Sequence, residues 1–221
     1  MKKMMMIAAM MVATLSANAQ RSILEPGQFG LQPKVGVDLA TVSADDTKYK
    51  FGLVAGIEGQ YQVNNWFGLS LGVLYSQQGS KFKANSNAKL NADNTKFNTE
   101  YLTIPVMAKF YVTKGLSLNV GLQPGFLTKA KFNASSENLW IGNTKITGET
   151  DIKDDTNKFD LSVPMSIAYE FDFGLALEAR YTSGLTNVLK NAFDSSSSTY
   201  DKVYNNKNEV FSLTVGYKFG L

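Results

Sequence analysis

The sequence has no cysteine and no histidine. Without cysteine there is no disulfide framework, the usual support of small secreted domains with thin cores. A barrel closed by its own hydrogen bonds needs none. Without histidine there is no imidazole acid or base, no Ser-His or Cys-His pair, and no route to most zinc sites. Long apolar runs are also missing: past the N-terminus, nothing approaches the roughly 18 apolar residues of a membrane-spanning helix. A transmembrane barrel escapes that test, because half of its strand residues are polar. The chain has 221 residues, 44% hydrophobic and 19% charged, which excludes disorder and suits one domain.

The N-terminus reads as a processing segment. Lys2 and Lys3 precede an apolar stretch over residues 4–15, and Ala17-Asn18-Ala19 has the small-x-small form of a cleavage site. The expected division is a signal peptide at 1–19, a flexible periplasmic lead at 20–28 and a barrel at 29–221. Removing Lys2 and Lys3 leaves 20 basic residues against 19 acidic. The pI near 8.9 therefore gives no reason to expect nucleic acid as a partner.

What is abundant is alternation. From Phe159 to Phe171 every second residue is apolar or aromatic, and the residues between are Asp160, Ser162, Pro164, Ser166, Ala168 and Glu170. The stretch from Phe173 to Thr182 repeats the split after a tight turn. A strict period of two predicts strands with one greasy and one wet face. About ten residues is also what a tilted strand needs to cross a bilayer. Similar segments fall at 29–40, 51–63, 67–78, 99–112, 116–128 and 209–221, eight strands in all. Short turns at Asn64-Asn65, 113–115 and Asp172 alternate with longer connections at 41–50, 79–96, 129–158 and 186–208.

That alternation predicts an all-β, eight-stranded antiparallel up-and-down transmembrane β-barrel, with short periplasmic turns and long external loops. The apolar faces carry no charge. A lysine or arginine facing lipid at the midplane would cost about 2–4 kcal/mol. Aromatic residues gather at both strand ends: Tyr61, Phe67, Phe110, Phe171, Phe173, Tyr217 and Phe219 by the short turns, and Phe51, Tyr75, Phe126, Phe159, Tyr181 and Phe211 by the long loops. They predict two interfacial girdles. Pro33, Pro105, Pro124 and Pro164 fall inside strands and each removes a ladder donor. Bulges or strand ends are expected near them, with a one-residue slip of register.

The inward set holds Lys34, Asp38, Glu58, Lys109, Glu170, Glu178, Arg180 and Lys218. Glu58 and Glu178 could serve as paired acid and base. An eight-stranded lumen is only wide enough for side chains, however, and buried charges there must pair. A structural salt-bridge network is the stronger expectation, with Arg180 as its hub. Inward glycines, among them Gly36, Gly121 and Gly216, would make room for the long side chains. Asp151, Asp154 and Asp155 lack the spacing of a calcium loop and read as solvated charge. Trp140, with Leu139 and Ile141, is an apolar patch in a long loop that packs on the rim or contacts a partner. No cofactor or metal is expected.

Four segments resemble the eight-stranded outer-membrane β-barrels common in Bacteroidetes, often labelled PorT-like: YQVNNWFGLSLGVLYSQQG at 61–79, YLTIPVMAKFYV at 101–112, LALEARYTSGLTNV at 175–188 and VFSLTVGYKFGL at 210–221. The resemblance implies an outer-membrane barrel, and one named relative is associated with secretion. The expected role is a non-enzymatic, monomeric barrel in outer-membrane lipid that presents loops for adhesion, envelope integrity or binding of an envelope or extracellular protein. Accessory work in secretion and a narrow pore are the alternatives. A lipid-modifying enzyme is disfavoured by the missing histidine.

Overall fold

The computed structural model describes residues 24–43, 47–82, 96–141, 144–189 and 206–221. The expected signal peptide and the first residues of the lead lie outside them. Among the described residues there are eleven strands and no helix: β1 (Phe29–Val42), β2 (Thr47–Asn64), β3 (Phe67–Phe82), β4 (Lys96–Thr103), β5 (Val106–Tyr111), β6 (Leu116–Ile141), β7 (Thr144–Asp151), β8 (Phe159–Glu170), β9 (Leu175–Asn187), β10 (Lys207–Tyr217) and β11 (Phe219–Gly220). Together, β4 and β5 occupy one place between β3 and β6, and β11 continues β10. The sheet closes where β10 pairs with β1, from Lys34 opposite Gly216 to Val42 opposite Asn208. The result is a ring of eight antiparallel strands.

The two faces part as the period of two requires. Val35 is 55% exposed and Leu71 58%, whereas Lys34 and Glu58 are 5% and 3% exposed. Apolar outside and ionised inside inverts the polarity of a soluble barrel. Strand-end aromatics meet in cross-strand pairs. Phe67 lies opposite Phe110 with ring centroids 5.3 Å apart, and Phe126 opposite Phe159 at 5.8 Å. Phe29, Trp66 and Tyr169 join the short-turn girdle. Phe219 departs from it: the expectation placed it outward, but it is 2% exposed, packed on Tyr217 at 4.8 Å.

The prolines meet the expectation of a strand end at one position of the four. Only Pro105 interrupts a strand, and the register across the gap is kept: Leu74 lies opposite Thr103 and Leu71 opposite Val106. The gap is bridged by Gly72 N donating to Pro105 O (2.9 Å) and Ile104 N to Pro124 O (2.8 Å). Pro33, Pro124 and Pro164 sit in unbroken strands without a slip. The shifts occur elsewhere, as between Glu100 and Tyr101 and between Tyr49 and Val54.

Three further corrections concern connections. The span 129–158, expected as one loop, is mostly a hairpin: β6 runs on to Ile141 and returns as β7, with Lys131 opposite Asp151. The 26 residues of β6 exceed the roughly ten that cross a membrane, so the hairpin projects beyond the lipid-facing belt. At the Asn64 turn the asparagine acts through its side chain, Oδ1 accepting from Trp66 N (3.0 Å) and Phe67 N (2.8 Å). The end of the lead, expected to be flexible, is pinned. Gly27 N donates to Gln62 O at 2.7 Å, Gln62 N donates to Gln28 O at 3.0 Å, and Leu24 is buried.

Gly36 faces inward for a reason other than the expected one. A Cβ there would lie 2.0 Å from Leu213 O, the backbone of the next strand, so its role is close backbone approach in a tightly curved sheet. At Gly59 a Cβ would meet nothing nearer than Leu71 O at 3.8 Å. Gly36→Ala is therefore expected to cost about 1–3 kcal/mol by overpacking. Gly59→Ala should stay within about 0.5 kcal/mol. Urea unfolding in lipid vesicles measures both, and equal midpoints for the two variants would contradict this reading.

Candidate functional site: the charged lumen

Inward positions on β1, β2 and β9 bring four ionised side chains together. Lys34 Nζ lies 2.8 Å from Glu58 Oε2 and 2.8 Å from Glu178 Oε2. Arg180 Nη2 reaches the same carboxylates, at 3.2 Å from Glu58 Oε2 and 2.9 Å from Glu178 Oε1, and its Nε donates to Glu178 Oε1 at 3.0 Å. Two cations and two anions thus close a ring across the barrel axis. Arg180 was expected as the hub. Lys34 makes the same two bridges, so the hub is shared.

The other predicted residues gather elsewhere. Toward the short turns, Glu170 Oε1 takes Lys109 Nζ at 3.1 Å and is also paired with Lys218. Both ammonium groups donate to Gln60 Oε1, at 2.9 Å and 2.6 Å. Tyr111 Oη donates to Glu170, and Gln60 Nε2 donates to Tyr111 Oη at 2.6 Å. Toward the long loops, Asp38 accepts from Ser76 Oγ at 2.5 Å and Ser212 Oγ at 2.6 Å. Sequence reasoning missed Gln60, Tyr111 and the two serines, although all lie at inward positions of the same alternation. They are neutral, and nothing but the three-dimensional register says which would meet a charge.

Among the described residues, the space beside the central ring is too small for a substrate. Between the central ring and the Asp38 group, a void of about 20 Å³ is lined by Lys34, Asp38, Arg180 and Ser212 among others. That holds about one water. Above it, Val42, Phe97, Tyr101, Leu127, Ala130, Phe132, Ile152 and Val188 form an apolar cluster at the long-loop end. Thr156, bridged to Leu189, anchors it by donating Oγ1 to Ile152 O at 2.8 Å. At the opposite end a cleft of about 720 Å³ opens between Leu24, Pro26, Tyr111 and Lys114. The acidic residues once weighed for calcium have local partners: Asp151 Oδ1 accepts from Lys153 N at 2.9 Å, and Asp154 lies 3.7 Å from Lys158 Nζ. Trp140 stands in β6 opposite Lys145; its side chain lies outside the described residues.

Arg180→Met would leave Glu58 and Glu178 facing each other with Lys34 alone between them. Removing one partner of a buried pair costs about 3–5 kcal/mol. Lys114, paired with Asp172 in an exposed turn at 3.3 Å, is the control. Lys114→Met should leave the urea midpoint in vesicles unchanged, while Arg180→Met lowers the midpoint and, with it, the unfolding free energy by that amount. A midpoint for Arg180→Met equal to wild type would mean that the central ring contributes nothing.

Comparison with known proteins adds to this geometry. Residues 18–190 match the outer membrane protein beta-barrel domain family. No curated protein matches the chain. Among solved structures, the chain is similar to Ail, the attachment invasion locus protein of Yersinia pestis, in complex with the heparin analogue sucrose octasulfate. The TM-score is 0.50 at 16% identity, over 87% of this chain and 99% of that one. A second crystal structure of Ail gives a TM-score of 0.50 at 16% identity, over 88% and 99% of the two chains. Neisserial surface protein A aligns at a TM-score of 0.48 and 17% identity, over 86% and 97%. At such identities the likeness to Ail is one of fold. With the family match spanning most of its length, this chain belongs to the outer membrane protein beta-barrel domain family and is a protein of the outer membrane.

Proposed function

We propose that the protein is a non-enzymatic, monomeric barrel whose role lies in its long connections, held outward for adhesion, envelope integrity or binding of an envelope or extracellular protein. The observation that carries this reading is the filled lumen: paired charges, a void of about one water, and an apolar cluster at the long-loop end. A pore needs a continuous wet path, and a catalyst needs space for a substrate beside its acid and base. The eight charges of these networks serve structure on this reading, and a further buried inward carboxylate, Asp160, accepts from Thr186 Oγ1 at 2.7 Å. The long connections are then what remains for recognition, and the projecting β6–β7 hairpin is part of that surface. The fold is shared with a protein that by its name serves attachment. The narrower kinship with PorT-like barrels of Bacteroidetes rests on the four sequence segments alone.

Purified protein in planar bilayers is expected to show no stepwise conductance. Reproducible single-channel steps would replace this reading with a pore. The reading also includes export through a cleaved signal peptide at 1–19, followed by a lead from Gln20. Intact-mass measurement of protein from envelopes should give a chain beginning at Gln20. A mass that retains residues 1–19 would remove the signal peptide from the account.

A further inference from the structure

The buried charges of the described lumen do not cancel. Four cations, Lys34, Lys109, Arg180 and Lys218, face five carboxylates, Asp38, Glu58, Asp160, Glu170 and Glu178. The central ring is balanced, and Glu170 is held by both Lys109 and Lys218. The two carboxylates without an ion pair, Asp38 and Asp160, both lie toward the long loops. Asp38 is well served: its two oxygens accept from Ser76 and Ser212, and it feels the charge of Arg180. Asp160 accepts from Thr186 Oγ1 at 2.7 Å, and among the described residues no lysine or arginine reaches it. A buried carboxylate is costly to keep ionised without a countercharge.

The surroundings of Asp160 supply oxygen but no positive charge. Gly125 lies opposite it on β6. A Cβ on Gly125 would stand 3.6 Å from Asp160 Cβ and 3.6 Å from Tyr101 Cδ1, so the glycine leaves room between those two side chains. Residues 184–186 of β9 bulge opposite Asn208 of β10, where the register passes from Glu209 opposite Ser183 to Lys207 opposite Asn187. The bulge turns Thr186 onto Asp160. The Asn208 side chain lies beside both Tyr101 Oη and the Asp160 carboxylate. Asn208 is 3% exposed and Tyr101 1%, yet Asn208 Oδ1, Asn208 Nδ2 and Tyr101 Oη have no well-directed hydrogen bond.

Buried polar atoms without partners point to an ordered water or an ion. A water would satisfy Asn208 and Tyr101 but would leave the charge of Asp160 standing. We propose that Asp160, Asn208 and Tyr101 bind a monovalent alkali cation, with the carboxylate, amide carbonyl and phenol oxygens as its protein ligands. The donors are all oxygen, which suits a hard ion and not a transition metal. One carboxylate balances one positive charge, whereas a calcium site draws on more oxygen ligands than these three side chains offer. Thr186 acts as a positioning residue, holding the carboxylate. The ion cancels the excess negative charge of the lumen and ties β4, β8 and β10 together beneath the long connections. The site is separable from the role proposed for the loops.

The test is equilibrium dialysis of the full-length mature protein, in uncharged detergent, against radioactive sodium, with choline holding the ionic strength constant. Folding of each variant is checked by heat-shifted electrophoretic mobility. Wild type should retain about one sodium ion per chain, to match the single excess carboxylate. Asp160→Asn should lose it. Tyr101→Phe, which keeps the ring in its apolar cluster, should bind sodium roughly tenfold more weakly or worse. Asp38→Asn should keep it, and so should Asp172→Asn in the exposed turn at the other end. The urea midpoint of wild type in vesicles of uncharged lipid should be higher in sodium chloride than in choline chloride, and that of Asp160→Asn should be the same in both. Wild type without sodium above the choline background, or Asp160→Asn with as much as wild type, would each overturn the site. So would loss on Asp38→Asn with retention on Asp160→Asn. If Asp160→Asn fails to fold, Tyr101→Phe and Asn208→Ala carry the comparison, and unchanged retention in both would overturn it.

Discussion

In hydrocarbon, every backbone N–H and C=O needs a partner within the chain, because no water is there to supply one. The pairing of β10 with β1 is where this protein meets that demand, and it brings the first and last strands of the ring together. Closure at eight strands fixes the rest. It removes every edge within the membrane and leaves an interior just wide enough for side chains. The inward residues must therefore fill that interior and satisfy one another. The contacts of Lys34, Glu58, Glu178 and Arg180 follow from closure as much as from charge. So does Gly36, at a point where adjacent backbones come too close for a Cβ.

The ring strands were legible in the sequence because lipid and lumen differ so strongly. Each crossing residue faces one or the other, so every outward position from Phe159 to Tyr169 is apolar or aromatic, while the charges of β8 and β9 all fall at inward positions. The eight lumen charges were legible for the same reason. The β6–β7 hairpin was not. Above the lipid the alternation inverts, with Lys131 and Glu149 facing out while Ala130 and Phe132 are buried, so the greasy outer face that marks a crossing strand is missing there. The contacts of Asp38 with Ser76 and Ser212 were hidden because the three residues come from β1, β3 and β10, and a hydroxyl does not advertise its partner. The prolines misled in the other direction. Loss of one donor predicts disruption, but a strand held by two neighbours keeps its register across the gap, as at Pro105.

The same closure separates the parts of the molecule that can carry function from those that cannot. The buried lumen charges nearly balance, with Lys34, Lys109, Arg180 and Lys218 against Asp38, Glu58, Asp160, Glu170 and Glu178, and each of these groups already has a polar partner. Ionisable residues inside a membrane usually point to a transport or proton path. Here the void beside them is too small for anything beyond about one water. The outward belt is uniform and apolar. At the rim, by contrast, Lys81 and Lys96 stand opposed without a counter-ion among the described residues.

The paired charges also explain why a filled lumen is not simply apolar. With two apolar faces, a strand could shift by one residue and exchange its sides at little cost. With ions on one face, the same slip would put Lys34 or Glu58 into lipid, at about 2–4 kcal/mol for a lysine near the midplane, and would strand its partner inside. The central ring reaches further than neighbouring strands. Lys34 on β1 bonds Glu178 on β9, with β10 lying between them. One interaction thus constrains the relative register of three consecutive strands, including the seam where the barrel closes. An apolar core of equal volume would supply cohesion there but would not distinguish one register from the next.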